Sequence, residues 1–160
     1  MELYIKTKKG YQPAKALAVF EAASHYAAMA LSTNMVNIRS TKDVIPMVEH
    51  RLRGLKEEHF GMLALNAKLQ VLDWCELSRG SISESPVYSR NIIKELLERN
   101  AAAVIFAHNH PSGDTEPSNA DKKLTDYLVD SLKAIDVKVV DHIIVGNASF
   151  SFAENNLIKK

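Results

Sequence analysis

The stretch that decides how this chain is read runs Ala107-His108-Asn109-His110-Pro111-Ser112-Gly113-Asp114-Thr115-Glu116-Pro117-Ser118-Asn119-Ala120-Asp121. Just before it lies a short continuous apolar run, residues 102–107, which fits a strand buried on both faces. Two histidines at i and i+2 of an extended backbone point to the same side. Both imidazoles can therefore face one ion. Pro111 stops the ladder, and the loop turns into a helix opened by Ser118. Asp121 falls in its first turn, where its carboxylate can face back toward the strand end. Two His and one carboxylate form a three-ligand set for a catalytic zinc, with water in the fourth position. Such an ion lowers the pKa of its water toward about 7 and polarises a carbonyl. The same residues also have a structural reading. Ser118 followed by Asp121 is a capping-box-like helix start, Asp and Asn recur in turns for conformational reasons, and a His near a strand end is commonly a hydrogen-bonded structural residue. On residue pattern alone both readings stand.

Working outward, residues 60–65 and 69–77 read as two strands joined by a turn at Asn66-Ala67-Lys68. Residues 78–85 are small and polar, so a loop is expected. Residues 86–99 read as an amphipathic helix with Ile92, Ile93, Leu96 and Leu97 on one face. After the motif, a helix is expected through about Ile135, then a strand over 137–145. Gly146-Asn147 ends that strand, and residues 149–152 pair back on it. Upstream, Ser40-Thr41-Lys42-Asp43 resembles a capping box that opens a helix through about Arg53. Pro46 lies inside that helix, where it is tolerated only near the first turn. Residues 35–38 read as a short extended segment. Before them the chain is Ala-rich, without a strand signal. Pro13 suits the first turn of a helix, and Leu17, Phe20, Ala28 and Leu31 recur at roughly helical spacing. The expected organisation is a helical N-terminal segment, 1–39, followed by an α/β domain, 40–160, built around a mixed sheet.

Composition narrows the classes. The 160 residues are 46% apolar and 24% charged, which is ordinary for a globular domain. Lys+Arg 20 against Asp+Glu 19 gives a net charge of +1, which counts against binding to nucleic acid by bulk positive charge. No apolar run reaches the roughly 20 residues of a membrane span, and no leader pattern opens the chain, so a cytoplasmic location is expected. The single cysteine, Cys75, excludes an intrachain disulfide and any zinc site needing two thiolates. Beside Trp74 in a strand, it reads as packing. Arg79 and Arg90 read as substrate-binding or as surface charges, and His142 as a core or outer-shell histidine.

His108-x-His110, seven residues, Ser118, two residues, Asp121 resembles the signature of the JAB/MPN, or JAMM, metalloproteases. The longer string His-Asn-His-Pro-Ser-Gly-Asp, with Pro117-Ser118, Asp121 and Asp141-His142-Ile143-Ile144-Val145-Gly146, resembles the bacterial RadC branch. Leu65-Asn66-x-Lys68 and Pro86-Val87-Tyr88-x-Arg90 resemble it too, so the likeness covers about residues 40–152. It implies a three-layer α-β-α sandwich of the JAB/MPN, cytidine-deaminase-like kind. It implies zinc held by His108, His110 and Asp121, and a Ser118 that hydrogen-bonds the zinc-bound water or the developing oxyanion. It also implies an upstream Glu as general base, with Glu57 and Glu58 as candidates. Glu58 is preferred because RadC-like chains carry Glu-His-Phe here. Asn109 stands where the usual motif has Ser or Thr. Gln12-Pro13-Ala14-Lys15-Ala16 and the Ala-rich segment resemble the second half of a helix-hairpin-helix element that binds DNA backbone.

Four functions compete on this reading. The first is a zinc-dependent hydrolase of a peptide or isopeptide bond, acting on a peptide or protein substrate. The second is a DNA-repair-associated nucleic-acid-binding protein or metal-dependent nuclease, as the RadC likeness implies. The third, a zinc deaminase, needs a Pro-Cys-x-x-Cys element, which one cysteine excludes. The fourth is a structural domain with an empty site. The adjacent letters His-Asn-His carry little weight for HNH nucleases, whose three residues are spread across a folded motif.

Overall fold

The computed structural model describes residues 4–7, 10–13, 19, 36–80 and 89–159. The chain divides into two compact units, Met1–Val36 and Asn37–Lys160. In the first, strands β1 (Tyr4–Thr7) and β2 (Gly10–Pro13) pair antiparallel, with Tyr4 opposite Pro13 and Thr7 opposite Gly10. This corrects the expectation of an N-terminal segment without strands. Tyr4, Ile5 and Thr7 favour extended backbone. The intervening residues are Lys8 and Lys9, not the Asn-Gly or Asp-Gly pair that marks a hairpin. Pro13, expected in a first helical turn, ends β2 instead, an edge-strand position where its missing N–H is tolerated. Of the helix expected over residues 13–31, only Val19 is described beyond Pro13, and it is helical. The rest of that helix lies outside the described residues.

The second unit runs α1 (Thr41–Leu52), β3 (His59–Leu65), β4 (Val71–Arg79), α2 (Ser89–Glu98), β5 (Ala103–Asn109), α3 (Asn119–Lys133), β6 (Lys138–Val145) and β7 (Ser149–Ser151). The strands form a five-stranded sheet in the order β4-β3-β5-β6-β7. Only β5 and β6 are parallel, and α3 crosses between them, so the sheet is mixed as expected.

Local chemistry explains the element ends. The Asp43 carboxylate accepts the Arg39 and Ser40 N–H groups at 2.9 and 3.0 Å, and so starts α1. Val44, Val48 and Leu52 then bury one face every fourth residue. Pro46 is accepted beyond the first turn because both it and Lys42, whose carbonyl it leaves without a partner, are exposed to water. Between β3 and β4, Asn66 Oδ1 accepts from Lys68 and Gln70 N–H at 2.9 and 3.0 Å, and Leu69 takes a positive φ of 57°. Strand β4 extends to Arg79, two residues into the expected loop, because Phe60 and His59 pair with Ser78 and Arg79.

One sheet face is covered by α2 and α3. Phe60, Met62 and Phe106 pack there with Ile92, Leu96, Leu128 and Leu132. Leu97, expected on this face, is 56% exposed. It sits about 100° around the helix from Leu96, beyond the buried stripe. Helix α1 packs against β5, β6 and β7 on the other side, completing three layers. All seven residues of β5 are buried, which makes it the central strand that carries the histidines. Among the described residues, no helix is long and apolar enough to cross a membrane.

Candidate metal centre

The expected loop from His108 begins two residues later, because His108 and Asn109 belong to β5. The His110 N–H donates to the Val145 carbonyl at 2.9 Å and so extends the pairing with β6 by one residue. His110 thereby stays extended and shares a face with His108. The loop that follows is held backbone to backbone against the β6–β7 turn. Asn147 N–H donates to the Gly113 carbonyl at 2.9 Å, and a Cβ on Gly146 would lie 2.5 Å from that same oxygen. Gly113 itself has φ +84°, which favours glycine.

Ser118 then caps α3. Its Oγ accepts Asp121 N–H at 3.1 Å, while Asp121 Oδ2 accepts Ser118 N–H at 2.8 Å. The structural reading of these two residues is therefore realised, and it does not exclude the chemical one. The capping box is what turns the Asp121 carboxylate toward the histidines. Asp121 Oδ1 lies 3.4 Å from His108 Nε2, and Oδ2 lies 3.5 Å from His110 Nε2. The two Nε2 atoms are 3.0 Å apart.

These separations suit a small ion. Tetrahedral bonds of about 2.0–2.1 Å place ligand atoms roughly 3.3 Å apart. The donor set suits it as well. His110 Nδ1 lies 2.8 Å from the Asp114 carbonyl, which can only accept. Nδ1 thus carries the proton and Nε2 offers a lone pair. His108, His110 and Asp121 can hold a metal ion.

Burial sets the protonation. His108 is fully buried, and desolvation pushes its pKa down to about 4, against the pull of Asp121. His142, also fully buried, is held well below the ordinary histidine value for the same reason. His110 is raised, chiefly by its interaction with the Asp121 carboxylate. Burial alone would raise Asp121, but His110, His108 and Ser118 together hold it below the usual carboxylate range. Between pH 6.5 and about 4 the unfolded chain takes up protons that folded His108 and His142 refuse, so stability falls as pH falls through that window. The His108 share is about 3 kcal/mol. His110 and buried Asp141, whose pKa values are raised, oppose part of it. Urea unfolding of chelator-treated protein at pH 7.0 and roughly pH 4.5 checks this. A midpoint that rises on acidification would contradict it.

The sheet register separates the two candidate glutamates. Phe60 opposes His108 across β3 and β5, so Glu58, two residues before Phe60, falls on the histidine face and opposite His110. Glu58 is partly buried and its charge acts on His110. Glu57 is exposed, and its charge acts on Arg79.

Asn109 points to the other face. Its Oδ1 accepts His59 N–H at 2.8 Å, and its Nδ2 donates to the Glu57 carbonyl at 2.9 Å, tying down the segment that carries Glu58. In the sequence Asn109 stands only as a departure from the usual motif. Thr125 was missed. The signal was legible, since a polar side chain one turn after Asp121 shares the buried stripe of Leu128 and Leu132. His142 contacts His108 rather than joining the ligand group.

The remaining candidates lie apart from the cluster. Cys75 packs in the core with its thiol pKa raised by burial, Arg79 pairs with Glu76, and Arg90 is exposed on α2. A cleft of about 580 Å³ opens beside His110, lined by Arg53, Lys56 and Asn109 among others. A larger cavity of about 780 Å³, at Lys133, Lys138 and Ile158, lies elsewhere on the domain.

Comparison with known proteins agrees with this geometry. The chain is 46% identical over 114 residues to a UPF0758 protein of Vibrio cholerae, covering 71% of this chain and 72% of that one. It is 46% identical over 124 residues to the UPF0758 protein YfjY of Escherichia coli, covering 77% and 78%. It is 46% identical over 112 residues to the UPF0758 protein Smlt0399 of Stenotrophomonas maltophilia, covering 69% of this chain but 48% of the relative. None of these names states an activity. A family model described as RadC-like JAB domain matches residues 38–157, which span the whole sheet and the His-His-Asp cluster. The chain belongs to the RadC family and carries its JAB-type domain.

Proposed function

We propose that this chain is a zinc-dependent hydrolase that cuts a peptide or isopeptide bond in a peptide or protein substrate. The observation that carries the reading is the convergence of His108, His110 and Asp121. Among the described residues no fourth His, Cys, Asp or Glu joins the group, which leaves a position for water or substrate. Zinc supplies Lewis acidity there, lowering the pKa of a water toward about 7 and polarising a carbonyl.

The chain's own residues handle the protons. Glu58, on the histidine face, takes one proton from the attacking water and returns it to the leaving amine. The water oxygen ends on the acyl carbon as the C–N bond breaks. Ser118 Oγ accepts from Asp121 N–H, so its own hydrogen is left to donate to the oxyanion. A buried free thiol, Cys75, suits a reducing compartment, and the cytoplasm is the proposed location.

Metal analysis of purified protein, paired with cleavage of a quenched-fluorescence peptide mixture, tests the reading. One zinc per chain is expected, with cleavage lost on chelation and restored by zinc. A zinc-loaded protein that leaves peptides intact but cuts duplex DNA would replace this reading with the nuclease one.

A further inference from the structure

His142 lies inside the core, yet it sits between the two halves of the metal cluster. Its Nε2 is 2.8 Å from His108 Nδ1, and its Nδ1 is 2.7 Å from Thr125 Oγ1. Thr125 Oγ1 is in turn 2.6 Å from the Asp121 carbonyl. A closed chain of contacts thus runs from one ligand residue, His108, to another, Asp121, through two side chains that touch no metal position. All four residues are buried, with at most 3% exposure. The His142 ring is walled by aromatic rings. Phe152 stacks on it at 4.8 Å, and Phe60 and Phe106 meet it edge-on at 5.7 and 6.2 Å.

The direction of each hydrogen bond follows from counting protons. Thr125 has one hydroxyl hydrogen and two close neighbours. The Asp121 carbonyl can only accept, and at 2.6 Å two lone pairs cannot face each other, so the hydroxyl donates to it. Thr125 Oγ1 must then accept from His142, whose Nδ1 carries the hydrogen. A neutral imidazole has one N–H, and a fully buried ring enclosed by three phenylalanines disfavours the charged form. His142 Nε2 is therefore the acceptor, and His108 Nδ1 is the donor. His108 Nε2 is left as a bare lone pair, free to accept from a protonated His110 Nε2 3.0 Å away in the metal-free protein and to face an ion that replaces that proton. The opposite arrangement would place an N–H where an ion must bind.

We infer that Thr125 and His142 are positioning residues that select the His108 tautomer and hold its ring for metal binding. Thr125 reads the α3 backbone at Asp121 and passes that direction through His142 to His108. The two halves of the site are thereby registered to each other before any ion arrives. Partners of this kind, one step removed from the ligands, typically change metal affinity by about 10–100-fold.

The test uses the whole chain, zinc alone as probe, and the near-isosteric variant Thr125→Val. Zinc affinity, measured against a competing chelator at fixed pH, should weaken by about 10–100-fold, and Thr125→Ser should restore it. Nitrogen-15 spectra of the metal-free wild type should show hydrogen on Nδ1 of both His108 and His142. In Thr125→Val the His108 pattern should shift toward a mixture. Wild-type His142 protonated on Nε2 would overturn the inference whether or not the variant folds. So would a folded Thr125→Val protein with unchanged affinity and unchanged tautomers. The affinity measurement rests on the metal-site reading and the spectra do not. A wild type that binds no zinc but shows the assigned tautomers would sink the metal reading and support the relay.

Discussion

Asp121→Asn is expected to abolish stoichiometric zinc binding while leaving the domain folded. The carboxylate does two jobs, and the substitution separates them. As third residue of α3 it accepts Ser118 N–H at 2.8 Å, and an amide oxygen can do the same. As a ligand it supplies the only negative charge of the cluster, 3.4–3.5 Å from the two Nε2 atoms. An amide carries no charge and presents two N–H donors toward lone pairs. Zinc sites of four ligands bind with about 10–16 kcal/mol, so one ligand is worth roughly 3–4 kcal/mol, or a weakening on the order of 10²–10³-fold. Metal content after dialysis, with circular dichroism as the control for folding, reads the result. One zinc per chain held by the variant at wild-type affinity would contradict the ligand assignment.

Glu58→Gln should keep its zinc and lose its turnover. Glutamine preserves size and hydrogen bonding but cannot take a proton from water. The fall expected in kcat is about 10²–10⁴-fold, the usual contribution of a general base, with KM little changed. Glu57→Gln is the built-in comparison, since Glu57 is exposed to water. It should stay within roughly twofold of wild type, as substitutions in exposed positions usually do. Equal loss in both variants, or loss in Glu57→Gln alone, would move the base from Glu58.

Much of the site was legible because its signals are local. The apolar run into His108 marks a buried strand, His-x-His puts two imidazoles on one side, and Ser118 with Asp121 writes a helix start. Each of these depends on residues within a few positions of one another. Where the local signal is missing or ambiguous, the sequence points away from the structure. The β1–β2 hairpin lacks the usual turn pair at Lys8 and Lys9, and Leu97 looks apolar enough to be buried.

The sequence by itself determined the residue types of the candidate metal cluster, their spacing and the α/β order that carries them, because strand alternation and helix capping act over two to four residues. Only the tertiary structure decided the rest. Which of Glu57 and Glu58 lies on the histidine face depends on the register of β3 against β5, in which a slip of one residue exchanges the two faces. The link from Asp121 through Thr125 and His142 to His108 depends on α3 packing over β6, which joins residues 17 positions apart, and on β5 pairing with β6, which joins residues 34 apart. Hydrogen-bond direction within that link is set by the few protons available among fully buried groups, a condition that exists only once the three layers have closed.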